Sequence, residues 1–211
     1  QVRSGTLRGL KASVVTVEAD VSEGLPVFDM VGSLAAEVRE GKERVRTVLK
    51  LIGMPLPARR ITVNISPADE KKSGSGFDLP MACSVLLAMG CFRADSFNDT
   101  FVSGELALSG DVLPVRGMLP MLLSAREAGL TKCIIPKENL SEAALVPDMT
   151  SIGVSSISEL IDYIKNKKIP ETDTELSSDI CEDRYLDFKE LHGQKVSRRA
   201  CEIAAAGRHN L

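Results

Sequence analysis

Apolar residues are interleaved with polar ones from Lys11 to Val21 (Ala12, Val14, Val17, Ala19, Val21), and a turn-rich Ser22-Glu23-Gly24-Leu25-Pro26 leads into a second apolar run, Val27 to Val31. The pattern predicts two strands joined as a hairpin. Ser33 is then a candidate helix cap. Leu34, Val38, Gly41, Val45, Val48, Leu49 and Ile52 recur at steps of three and four until Gly53 stops the run, which predicts an amphipathic helix. Arg60 to Ile65 reads as a strand, and the loop Ser66 to Gly76 feeds a second helix with Leu79, Ala82, Val85, Leu86 and Met89 as its apolar positions. Pro80 falls in that helix's first turn, where a missing amide donor costs nothing.

Strand and helix continue to alternate: Phe101 to Leu108, Val112 to Val115, a helix from Met118 to Ala128, Cys133 to Ile135, a helix around Glu138 to Leu145, Ser151 to Val154, and a helix from Ser158 to Lys167. An α/β or α+β sandwich of sheet and helices follows. The expected domain covers residues 1–168. From 169 to 185 the chain carries six carboxylates (171, 173, 175, 179, 182, 183) and few large apolar groups, so it buries too little surface to offset its ordering entropy and reads as an acidic linker. Residues 186–211 become helical and alanine-rich again, as the beginning of another domain.

Composition narrows the class without naming a partner. The 26 basic and 29 acidic residues nearly cancel, giving a net charge of −3, so nucleic acid or anionic lipid would have to be met by a local patch. Five cysteines at 83, 91, 133, 181 and 201 form no C-x-x-C pair and read as free thiols of a reducing cytoplasm. No apolar run is long enough to span a bilayer, and no leader opens the chain, although Gln1 suggests a trimmed start.

Several segments raise chemistry. The loop Ser66 to Pro80 (SPADEKKSGSGFDLP) places glycines and hydroxyls before a helix, where exposed amides can cradle a phosphate, but the P-loop pattern is absent and a tight turn before a capped helix explains the glycines without a ligand. Lys71 and Lys72 beside Ser73 and Ser75 raise a Ser-Lys hydrolase. The competing expectation is that both lysines are solvated loop charges. Arg59, Arg60, Lys71 and Lys72 flank one strand and are candidates for a small basic patch contacting DNA or a protein partner. The five bases and three acids from Glu37 to Lys50 read as a solvated face laced with pairs such as Glu40 and Arg44. His192 and His209 have no ligand-type neighbours, so no metal site is expected.

Three segments resemble the YifB/ComM family of magnesium-chelatase-like AAA+ ATPases: the loop just described, the run Gly104 to Pro120 (GELALSGDVLPVRGMLP), and Val31-Gly32 with Glu37 to Glu40 and Glu43 to Arg46. The chain departs from the family pattern at Gly32-Ser33-Leu34-Ala35-Ala36, where members carry Gly-Leu-Pro and an acid. The family's N-terminal domain is in turn similar to the proteolytic domain of Lon, and Ala128 to Asn139 (AGLTKCIIPKEN) resembles Lon strongly. The resemblance implies a Lon-protease-like, ribosomal-protein-domain-2-like βαβ fold. Carried onto this chain, Lon's nucleophile falls on Gly76, or on Ser75 with a one-residue shift, and its base on Leu119. A leucine cannot take a proton, so no catalytic residue is expected. Asp187 to Gln194 and Arg198 to Leu211 resemble the lead-in to the family's AAA+ core, which would place the Walker A loop beyond this chain. The resemblance implies a cytoplasmic parent that binds ATP and Mg, forms a hexameric ring and acts on DNA. This fragment would hold no cofactor and serve as a non-proteolytic accessory domain. A residual Ser-Lys peptidase and a purely structural protein-interaction domain are the alternatives.

Overall fold

A computed structural model describes residues 1–9, 11–170 and 193–209. The chain divides into two units, Gln1–Thr174 and Glu175–Leu211. In the second unit the described element is one helix, Lys195–Gly207. Of the predicted lead-in, the residues up to His192 lie outside the described residues, as do most of the acidic linker and Cys181.

The first unit is a mixed α/β fold on a seven-stranded sheet. Its strands are β1 (Val2–Arg8), β2 (Lys11–Ser22), β3 (Phe28–Val31), β4 (Arg60–Ser66), β5 (Thr100–Val102), β8 (Lys132–Pro136) and β9 (Thr150–Val154), in the order β3-β4-β2-β1-β5-β8-β9. A separate two-stranded ladder joins β6 (Glu105–Leu106) to β7 (Val112–Leu113). The helices are α1 (Ala36–Leu51), α2 (Asp78–Ala88), α3 (Met118–Glu127), α4 (Leu140–Ala143) and α5 (Ile157–Asn166).

The period of two in the strands divides the core between the two faces of the sheet. Val102, Ile134, Ile152 and Val154 pack with α1, α2 and α5, whereas Phe101, Cys133 and Ile135 pack with Met118, Met121 and Leu122 of α3. β4 repeats the pattern, with Ile61, Val63 and Ile65 buried and polar residues between them.

The expected hairpin between the second and third strands does not form. β2 pairs antiparallel with β1 on one side and with β4 on the other, and β3 pairs parallel with β4. The hairpin is β1 with β2, and β1 was missed because its buried Ser4, Gly5 and Thr6 do not stand out as apolar. The predicted single strand from Phe101 to Leu108 is broken between Val102 and Glu105. There Gly104 donates its amide to Gly76 and its carbonyl accepts from Leu79, so the backbone leaves the main sheet to bind the start of α2.

Ser33 is not the cap of α1. The helix begins after Ala35, and the backbone of this stretch is taken by tertiary pairing: Lys72 donates to the Ser33 carbonyl and Ala35 to the Lys72 carbonyl, at 2.8 and 2.9 Å. The expected pairing of Arg44 with Glu40 is also replaced. Arg44 reaches across to Asp78 at the start of α2, with Nε on Oδ2 at 2.6 Å and a terminal amino group on Oδ1 at 3.1 Å. Asp78 also accepts from the Leu106 amide at 3.1 Å, so a carboxylate that is 1% exposed has three donors. Burial pushes its carboxyl up from the ordinary value and the Arg44 pairing pulls the other way, while the same pairing raises Arg44.

Gly41 lets the two helices approach this closely, since a methyl group there would overlap the Asp78 carboxylate and meet the Met81 terminal methyl at 2.7 Å. Replacing Gly41 by alanine is therefore expected to destabilise the fold by about 1–3 kcal/mol despite alanine's higher helix propensity. An unchanged urea midpoint for Gly41→Ala would show that the helices are not held at this distance.

Cys83 and Cys133 are buried free thiols. Burial pushes both up, Cys133 to about 11 against the opposing effect of the Ser151 hydroxyl. At pH 8 both are expected to resist a disulfide-exchange reagent until the chain unfolds, while half-buried Cys91 reacts in the native state. Because Cys133 stays protonated above the ordinary thiol value of 9.0, its contribution to stability is lost as pH rises from about 9 to 11. Rapid native-state labelling of Cys133 would contradict this.

Candidate functional site

The loop between β4 and α2 is held by the segment just before α1. Leu34 and Lys72 form a parallel bridge, and the Gly74 amide donates to the Glu37 carboxylate at 3.2 Å. A bond to Glu37's own backbone, together with the Gly74 bond, lowers the Glu37 carboxyl from its ordinary range. The stretch that departs from the family pattern is thus the docking strip for this loop.

Lys72 contradicts the expectation of two solvated lysines. Its side chain is fully buried, and its ammonium donates to the carbonyls of Pro67 and, at 2.7 Å, Glu70. Burial lowers its pKa, while Glu70 and Asp69 oppose the shift. Lys71 is exposed as expected. A desolvated lysine is one requirement of a Ser-Lys hydrolase. Here, however, the hydrogen bonds of the ammonium among the described residues run to main-chain carbonyls, and neither exposed Ser73 nor half-buried Ser75 bonds to it.

The two segments that carry the Lon positions do meet. A Cβ built on Gly76 would lie 2.7 Å from the Ser103 hydroxyl and 3.1 Å from a Val115 methyl. Ser103 is 1% exposed and donates its hydroxyl to the Gly76 carbonyl at 3.1 Å. The space a nucleophile would occupy at position 76 is therefore closed by a hydroxyl and a valine. Leu119 is half-buried against the α3-side core, and its amide donates to Glu142 at 3.0 Å.

Sequence reasoning missed the residues that position this second segment. Asn139 is 4% exposed and clamps Val115 from both sides, accepting from its amide at 2.9 Å and donating to its carbonyl at 3.0 Å. It also donates to Glu142 at 2.7 Å, which ties Asn139, Glu142, Val115 and Leu119 into one network. A buried asparagine leaves no periodic signal, and only its resemblance-bearing position at the end of AGLTKCIIPKEN marked it.

The phosphate reading of this loop finds little support in its donors. At the start of α2 the Asp78 amide is directed to the Ser75 carbonyl at 3.4 Å and the Leu79 amide to Gly104 at 3.0 Å, while the Asp78 carboxylate brings negative charge to the same turn.

The expected basic patch does not assemble either. Arg59 and Arg60 stand at the start of β4, and Lys71 and Lys72 follow its end. The strand's seven residues, which span about 20 Å, separate the two pairs. Flanking one strand places residues at opposite ends of it. Lys72 is buried, and Arg60 is paired with Asp29 at 2.7 Å. Arg59 instead lines a concavity with Arg46 and Lys50. Among the described residues no cluster of metal-ligating side chains occurs and no helix is long and apolar enough to cross a membrane; His192 lies outside the described residues.

This architecture is that of an α/β domain in which two loop segments converge at the start of a buried helix. Comparison with known proteins supplies the family. Residues 17–139 match the family described as subunit ChlI of Mg-chelatase. The competence protein ComM of Haemophilus influenzae is 36% identical over 214 residues, covering 100% of this chain and 42% of ComM. The uncharacterized protein YifB of Escherichia coli is 32% identical, covering 96% of this chain and 40% of YifB. A Lon protease of Mycolicibacterium smegmatis is 29% identical over 164 residues, 74% of this chain and 21% of that protein. The chain belongs to the YifB/ComM family of Mg-chelatase-like AAA+ proteins, and it spans about two fifths of the length of ComM and YifB.

The closed space at Gly76 leads to a measurable expectation. Gly76→Ser should destabilise the domain by about 1–3 kcal/mol through overlap with Ser103. Adding Ser103→Ala should recover part of that loss, a coupling that a double-mutant cycle in urea would measure. Strict additivity of the two substitutions would rule out the overlap.

Proposed function

We propose that this chain is a non-proteolytic accessory domain of a cytoplasmic, ring-forming Mg-chelatase-like AAA+ ATPase, and that the parent acts on DNA. The observation that carries the first half is the packing at Gly76. Ser103 and Val115 fill the space beside it, and the base position is a half-buried leucine, Leu119. A Lon-protease-like fold, related to ribosomal protein domain 2, is part of this reading and is supported by the 29% identity to a Lon protease. The DNA-directed half is supported by whole-chain similarity to a competence protein. ATP and Mg would be held by the parent's AAA+ core, following the family match and the absence of a P-loop pattern in these 211 residues. A hexameric ring is the assembly this family membership suggests.

The full-length protein tests both halves. A serine-reactive phosphonate should leave this domain unlabelled. Labelling that Ser75→Ala abolishes would overturn the non-proteolytic reading and favour the Ser-Lys peptidase. Filter binding of forked DNA should show an affinity that falls steeply with salt, as phosphate contacts require. No measurable DNA binding at low salt would leave a protein-interaction role in its place.

A further inference from the structure

The C-terminal half of α1, the loop after it, and the starts of β3 and β4 enclose a concavity of about 310 Å³. Its wall is largely apolar, with Pro26, Val27, Leu56 and Pro57 among the lining residues. Three cations, Arg46, Lys50 and Arg59, also line it, and among the described residues no carboxylate does. Arg46 and Lys50 stand four residues apart and so share one face of α1. Arg46 pairs with Glu43 only at 3.9 Å, between side chains 51% and 61% exposed, a contact that contributes little in water. The prolines fix their own backbone angle, so the wall is preorganised and loses little freedom when filled.

The surroundings extend the apolar surface. Val27 is 41% exposed, and Leu25 and Leu51, chain neighbours of the lining residues Pro26 and Lys50, are 81% and 60% exposed. β3 is one of the two edge strands, with no partner on its outer edge among the described residues. Such an edge offers backbone donors and acceptors to an extended chain.

Cations around an apolar wall select an anionic occupant that also carries apolar surface. A nucleic-acid strand meets the charge, but stacking its bases needs an exposed ring, and Phe28, the one aromatic residue of the lining among the described residues, is 5% exposed. An acidic peptide with a large apolar side chain satisfies both features. We propose that this concavity docks an acidic peptide segment of a partner protein, its apolar side chain entering beside Val27 and Leu56 and its carboxylates meeting Arg46, Lys50 and Arg59.

Fluorescence polarisation on the whole chain provides the test. The probe is a short fluorescein-labelled peptide of glutamates around a central phenylalanine. Control probes replace the phenylalanine with serine or the glutamates with lysine, and oligothymidine is the nucleic-acid arm. The glutamate–phenylalanine probe should bind, and each control peptide should bind at least about tenfold more weakly. Arg46→Glu combined with Lys50→Glu should weaken the probe by a similar factor, and Ala58→Phe, which fills the concavity from an exposed lining position, should weaken it without altering charge. Circular dichroism of both variants establishes that they are folded. The proposal is overturned if the probe does not bind, if it binds folded variants and wild type equally, or if oligothymidine displaces it and loses affinity in the same variants.

Discussion

The contact on which the first unit turns is the ion pair between Arg44 and Asp78. It joins α1 to the first turn of α2, and the Leu106 amide adds the β6–β7 ladder to the same carboxylate. Removing a carboxylate from water is costly, and it is tolerated here because every donor is aimed at it. A hydrophobic pair could hold two helices together as strongly. It would not fix their rotation, which two Arg44 nitrogens and one backbone amide do. Gly41 belongs to the same constraint, because only a residue without a side chain lets the carboxylate lie against α1.

Once α1 and α2 are registered, the loop between β4 and α2 has little freedom. Its outer part is strapped to the residues before α1 through Ser33, Ala35 and Glu37, and its end is zipped to Ser103 and Gly104. Lys72 turns inward because its own loop supplies the acceptors that a buried ammonium needs. The space beside Gly76 is filled by Ser103 and Val115.

Much of the fold was legible in the residue pattern. β4, α1, α2, α3, β8, β9 and α5 fall where alternation or three-to-four spacing predicted them, and α5 is capped by Ser156, whose hydroxyl accepts from the Glu159 amide. Convergence of the loop at Gly76 with the segment around Val115 followed from resemblance, not from any spacing. Three departures share one cause. The hairpin, the Ser33 cap and the Glu40–Arg44 pair are all assignments to sequence neighbours, and in each case a partner from a distant part of the chain replaces the near one.

Sequence by itself determined most of the strands and helices, though not β1 or the break after Val102, because periodic burial is written into residue spacing, and it determined the family, because the matching segments are contiguous. It also marked Leu119 as a position that cannot act as a base, since side-chain chemistry needs no coordinates. Only the tertiary structure decided that β4 lies between β2 and β3, that Lys72 is buried while Lys71 is not, and that Arg59 faces Arg46 and Lys50 instead of the lysines beyond β4. The strand order and the place of Arg59 are questions of which distant groups meet, while Lys72 is decided by how its own loop folds back on it. A charged side chain goes to the acceptors or the water within its reach, and that reach is set by strand order and helix rotation, which no local pattern encodes.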